Sequence, residues 1–323
     1  MPETFADRDI TFANGSRGQP LEIPTASPLN YHEALSNPAG MARTAIAGKL
    51  FVPPRGDGPW PVIVVVPGSL GVAPSHLAHA ERLTGAGIAA CVIDPFGARS
   101  VTSTVANQAQ YSFAASGWDV CATAAALAGR PEIDAARIGA QGHSRGGSAV
   151  LTAATGRFAA AARAAMDAPA LRGVYAAYPW CGHQFLDAAV GATAVRAIIG
   201  DRDEWCLPQQ VQAHVNAMRL AGGDAAWRIV DGAQHSFDRD TDIEMIDDAA
   251  VSPGAPTAYV ADDGAFVHPL TGAPDPALTD RDLMVYALKA GYGRRGARIG
   301  SRPGDAETFA TDMMAFWGRV LTP

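Results

Sequence analysis

The residues best equipped to do chemistry lie between Arg137 and Leu151, in the string RIGAQGHSRGGSAVL. A short apolar run there enters Gly142-His143-Ser144-Arg145-Gly146, and small residues of helical character follow at once. A serine held between glycines at a strand-to-helix turn is lifted clear of the sheet, and the helix behind it presents unpaired N–H groups. That arrangement makes an oxygen nucleophile, and Ser144 is the candidate. Such a serine needs a base, and the base needs an acid to orient it. Both follow in chain order, at the ends of two later apolar runs. Val195 to Ile199 leads into Gly200-Asp201-Arg202-Asp203-Glu204-Trp205, and Ala226 to Val230 leads into Asp231-Gly232-Ala233-Gln234-His235-Ser236-Phe237.

His235 is the candidate base. Asp203 is preferred as the acid, because a GxxD turn lets its carboxylate curl back to the imidazole, whereas Asp201 beside the strand end is placed to cap the turn. Glu204 and Asp231 are remoter acids. The tetrahedral oxyanion needs two N–H donors. The amide of Arg145 supplies one, and the loop Pro67-Gly68-Ser69-Leu70-Gly71 the other, through Ser69, with Leu70 of that loop facing substrate. Arg99 either binds a substrate carboxylate or makes a salt bridge that fixes its own loop. Trp180 and Trp205 wall a substrate pocket or belong to the core.

Other polar clusters are read as structural. His143 packs beneath the serine turn. His76 and His79 are three apart on a helix, have no third metal ligand nearby in the sequence, and are read as a solvated helix face. Asp238 to Glu244 fails the EF-hand template, with Ile243 where glycine is needed, and is read as a solvated loop. Cys91 and Cys121 lie in apolar segments and are read as buried thiols. Cys181 and Cys206 follow strand ends and either pair or stay reduced.

Positioning these side chains requires a scaffold whose strand ends converge. From Pro61 onward, apolar runs alternate with amphipathic stretches, the pattern of a mostly parallel sheet with helices on both faces. Strands are expected at 62–66, 88–93, 137–141, 171–177, 195–199 and 226–230, and helices at 75–84, 112–127, 146–155, 208–220 and 306–321. Before them, 10–13 and 45–52 read as strands. The 323 residues form one α/β domain. Residues 238–300, rich in Asp, Pro and Gly, interrupt the alternation as a lid or a surface excursion.

A net charge of −7 with 48% hydrophobic residues excludes the broad basic surface that nucleic acid or anionic lipid would require. No apolar run reaches the roughly 20 residues of a membrane span, and the acidic N-terminus lacks the pattern of a secretory signal. The chain reads as soluble and cytoplasmic.

Together, Val66-Pro67-Gly68-Ser69-Leu70-Gly71, Ile93-Asp94-Pro95-Phe96-Gly97, Gly142-His143-Ser144-Arg145-Gly146, Gly200 to Trp205 and Gly232 to Phe237 resemble the dienelactone hydrolase family of the α/β-hydrolase fold, over residues 45 to 240 and again at the final helix. The resemblance implies a carboxylic-ester or lactone hydrolase that acts on small organic substrates without cofactor or metal, with Ser144, Asp203 and His235 as its triad. Two departures stand out. Enzymes that open dienelactones carry cysteine where this chain has Ser144, and the small members lack the 238–300 insertion. The same triad also serves acyl transfer or peptide cleavage, while a non-catalytic binding protein would be expected to lack a triad member.

Overall fold

The computed structural model describes residues 5–322. The chain begins with β1 (Gln19–Ser27), α1 (Tyr31–Ser36) and β2 (Ala42–Phe51), then alternates: β3 (Trp60–Val66), α2 (Pro74–Gly85), β4 (Ala89–Asp94), α3 (Phe113–Ala128), β5 (Ile133–His143), α4 (Arg145–Ala154), α5 (Gly156–Met166), β6 (Gly173–Ala177), β7 (His183–Phe185), β8 (Ala194–Gly200), α6 (Pro208–Leu220) and β9 (Ala225–Val230). Eight of these strands form one sheet in the order β1-β2-β4-β3-β5-β6-β8-β9. β1 and β2 are antiparallel, β2 runs antiparallel to β4, and all later pairs are parallel.

The central strands are apolar along their whole length because both faces are covered. From Pro61 to Val66 every residue of β3 is buried, as a parallel strand between two helical layers requires. One layer is α8 (Asp305–Leu321), joined by α2, whose His79 ring lies 5.0 Å from that of Phe309. Tyr175 of β6 and Arg196 of β8 both bond to Asp312 of α8, and the Trp317 indole donates to Gln141 of β5 at 3.0 Å. The opposite face is sealed by α3 and α4, which pack on β5.

Expected and observed elements agree closely from β3 to β9. The strand expected at 10–13 is absent; only a single bridge joins Thr11 to Arg17. The first strand is β1, whose Pro20 and Pro24 obscure its alternation but are tolerated because β1 is an edge strand. The insertion carries its own structure: β10 (Glu244–Val251), β11 (Ala258–Val260), β12 (Phe266–Val267), β13 (Pro274–Asp275), α7 (Asp280–Lys289) and β14 (Arg294–Ile299). β10 pairs with β14, and β7 is taken from the main domain as the fourth strand of a small sheet with β11, β12 and β13. Among the described residues no helix is long and apolar enough to cross a membrane.

Trp317, with 0% exposure, fixes α8 to the middle of the sheet. Trp317→Ala is expected to lower stability by about 3–5 kcal/mol in urea unfolding, as truncation of a buried large aromatic does; a loss below about 1 kcal/mol would mean that α8 is not docked as described.

Candidate active site

The turn between β5 and α4 is built around one strained residue. Ser144 has φ +54° and ψ −115°, and it separates the last strand residue, His143, from the first helical one, Arg145. The glycines on either side are steric requirements. A Cβ on Gly142 would collide with the Gly146 carbonyl, and one on Gly146 with the carbonyls of Val66 and Pro67. The turn is therefore wedged against the end of β3. As the first residue of α4, Arg145 has an N–H with no helical partner, and among the described residues the Ser69 amide has no acceptor either.

Three carboxyl-end loops converge on this turn. His235 Nδ1 donates to Asp203 Oδ2 at 2.7 Å, which leaves Nε2 to accept from Ser144 Oγ at 3.0 Å. The imidazole is 3% exposed and the Asp203 side chain fully buried. Asp203 Oδ1 accepts the amides of Trp205 and Cys206, each at 2.8 Å, so its orientation is fixed by the turn that carries it. Asp201 instead caps Gly232 N, and Glu204 pairs with Arg298. The indole of Trp205 stacks on the His235 ring at 5.2 Å, and Tyr178 meets that ring edge-on at 4.7 Å. The imidazole is clamped between two aromatics.

Beneath the turn lies a polar chain that the sequence does not announce. The Trp317 indole donates to Gln141, the Gln141 amide meets His143 Nε2 at 3.1 Å, His143 Nδ1 meets the Tyr178 hydroxyl at 3.0 Å, and that hydroxyl donates to Asp238 Oδ1 at 2.7 Å. His79 Nε2 donates to the other Asp238 oxygen, also at 2.7 Å. Two expectations are corrected here. His76 and His79 are buried rather than solvated, with His79 stacked on His143 at 5.2 Å and His76 accepting the Ala73 amide. Asp238 is buried rather than part of a solvated loop. The reason is shared: α2 turns its imidazoles toward a carboxylate that the sequence places 159 residues beyond His79. Burial opposes ionisation of Asp238, but the neighbouring His143 and His79 outweigh it and hold the carboxyl well below the ordinary range. Burial pushes the His143 imidazole down, which keeps it neutral. The ligand atoms of His79, His143 and Asp238 lie within 4.8 Å of one another, yet each is engaged in this chain of hydrogen bonds.

The remaining candidates divide. Arg99 is 7% exposed and spent on structure: Nη1 and Nη2 grip Asp119 at 2.7 and 2.9 Å, and Nε donates to Ser27. It is absent from the cavity wall, so of its two readings the salt bridge is the observed one and substrate binding is corrected. Leu70 lines a shallow groove with Ser69, Ser144 and His235. Trp180 and Trp205 both face a much larger cavity of about 1220 Å³ that reaches Ser144 and Arg145. Cys181 and Cys206 are free, buried thiols, as are Cys91 and Cys121, and burial pushes the Cys206 thiol up.

The 238–300 segment forms the far wall of that cavity, through β10, β11 and α7. It is tied to the catalytic-type loops directly: Gly300 N donates to the His235 carbonyl at 3.0 Å, and Trp205 Nε1 to the Arg298 carbonyl at 2.8 Å.

Comparison with known proteins matches this architecture. The dienelactone hydrolase family model matches residues 46–255. No curated protein matches the chain. Among solved structures, a dienelactone hydrolase-like promiscuous phosphotriesterase from metagenomic libraries superposes with a TM-score of 0.55 at 15% identity, covering 94% of this chain and 99% of its own. A hyperthermophilic esterase from the archaeon Pyrobaculum calidifontis gives 0.51 at 15% identity, over 72% of this chain and 78% of its own. At such identities the likeness is one of fold.

Removing Asp238 would strand two buried donors, the His79 imidazole and the Tyr178 hydroxyl. Asp238→Ala is expected to cost about 3–5 kcal/mol in chemical denaturation, in the range for breaking a buried charged pair from one side. A cost below about 1 kcal/mol would show that the chain of hydrogen bonds carries no weight.

Proposed function

The chain belongs to the dienelactone hydrolase family of carboxylic ester hydrolases, and on that premise we propose that it cleaves esters or lactones of small organic molecules with Ser144 as nucleophile, through an acyl-enzyme. The observation that carries this reading is the pair of contacts made by one imidazole, 2.7 Å to Asp203 and 3.0 Å to Ser144.

The geometry supports the following steps. Ser144 Oγ attacks the carbonyl carbon as His235 Nε2 takes its proton. Asp203 keeps Nδ1 protonated and stabilises the imidazolium. Negative charge moves onto the carbonyl oxygen, which the amides of Arg145 and Ser69 receive, with the positive end of α4 behind them. The tetrahedral centre collapses, and the departing alkoxide takes the proton from His235. Water then gives a proton to His235 and adds to the acyl carbon, and Ser144 is released carrying that proton. With a lactone the alcohol stays tethered, and the product is one hydroxy acid. A serine hydroxyl is a poor nucleophile until a base withdraws its proton, so the attack depends on the contact with His235 Nε2.

Ser144→Ala is expected to lower kcat/KM for p-nitrophenyl acetate by about 10³-fold or more with the melting temperature little changed, because triad members act as a unit. Retained turnover in that variant would overturn the proposal.

A further inference from the structure

The wall of the large cavity contains a carboxylate that nothing in the triad mechanism uses. Asp280 is the first residue of α7 and is 8% exposed. Its Oδ1 accepts the Phe113 amide at 3.3 Å and lies 3.7 Å from His183 Nδ1. Its Oδ2 is buried and, among the described residues, has no hydrogen-bond partner. Burial pushes this carboxyl up to about 6 despite the nearby Arg145 guanidinium; in its ionised form it can only accept. A buried carboxylate oxygen without a donor costs free energy in the empty protein and is rare in native structures. This oxygen has essentially no accessible surface in the empty protein, so a group that binds in the cavity recovers that cost once the Asp280 carboxylate turns to meet it.

Asp280 shares the cavity wall with Ser144, Arg145, Phe113 and Trp180, so a donor reaching it belongs to the same molecule whose carbonyl meets Ser144. The donor's charge follows from the neighbours. The Arg145 guanidinium, buried and lying 4.0 Å over the Phe113 ring, puts a fixed positive charge beside the site and opposes a second cation. The volume of about 1220 Å³ exceeds the roughly 300–1,000 Å³ of ordinary ligand pockets, and its walls are mostly apolar side chains. We propose that the substrates are esters with a bulky apolar body bearing a hydroxyl away from the scissile carbonyl, and that Asp280 is the specificity residue that accepts this hydroxyl. The assignment rests on the esterase reading for the ester itself, but the subsite can be tested apart from it.

The test compares three matched series of p-nitrophenyl alkanoates of increasing chain length: unsubstituted, ω-hydroxy and ω-amino. At the length that reaches Asp280, the ω-hydroxy ester is expected to exceed the unsubstituted one in kcat/KM by about tenfold or more, as sites built to bond a substrate hydroxyl do. Asp280→Leu should bring that ratio to one or below, since an aliphatic side chain neither accepts from the hydroxyl nor donates to it. A ratio near one at every length, or a larger preference for the ω-amino series, overturns the proposal. The wild-type ratios decide it even if the variant fails to fold. Titration calorimetry of Ser144→Ala with ethyl esters of the same acids reads the preference as a ratio of binding constants. A binding preference for the hydroxyl without hydrolysis of any ester would count against the esterase reading and leave the Asp280 subsite standing.

Discussion

The constraint on which the molecule turns is the backbone of Ser144, held at a positive φ between the end of β5 and the start of α4. A conformation of this kind costs of order 1–3 kcal/mol and persists only where surrounding structure over-determines it. Here the surroundings are the close passage of Gly142 and Gly146 against each other and against the end of β3, and the packing of α4 on β5 and β6. The strain has a use. It brings the serine hydroxyl within 3.0 Å of His235 Nε2 and leaves the first N–H of α4 without a helical partner.

A second tier of structure holds the His235 imidazole in place. Trp205 and Tyr178 clamp the imidazole, and Tyr178 is itself fixed by Asp238, which gathers α2, β5 and the start of the insertion into one buried polar cluster. The same insertion returns through β14 to Gly300, whose amide bonds the His235 carbonyl. Residues 238–300 are thus joined at both ends to the loops that carry the triad-type residues, and between those ends they enclose the cavity. The segment that walls the large cavity is continuous with the one that hydrogen-bonds the loops carrying His235 and Asp203.

The parts of this arrangement legible in the sequence are those set by local chemistry. A serine between glycines after an apolar run, and Asp and His after two later runs, sit at strand ends because the apolar runs must be strands and the turns must follow them; Asp203 rather than Asp201 could be chosen from turn geometry alone. What escaped the sequence depends on contacts distant along the chain. His79 looks like an exposed helical residue until Asp238 is folded against it, and the choice between the two readings of Arg99, substrate binding or a salt bridge, is decided only by its contact with Asp119 of α3. Three of the insertion's five strands have only two or three residues, so periodicity had too little length to register there. Asp280 is unremarkable as a helix-start acid; its meaning lies in the burial of one oxygen.

The central claim is that a single imidazole activates Ser144, and covalent capture tests it most directly. A fluorophosphonate reacts only with a serine whose proton is being withdrawn, and peptide mapping identifies the residue that carries the phosphonyl group. The account predicts labelling at Ser144 alone, abolished in His235→Ala. Labelling at another serine, or equal labelling of Ser144 when His235 is absent, would contradict it.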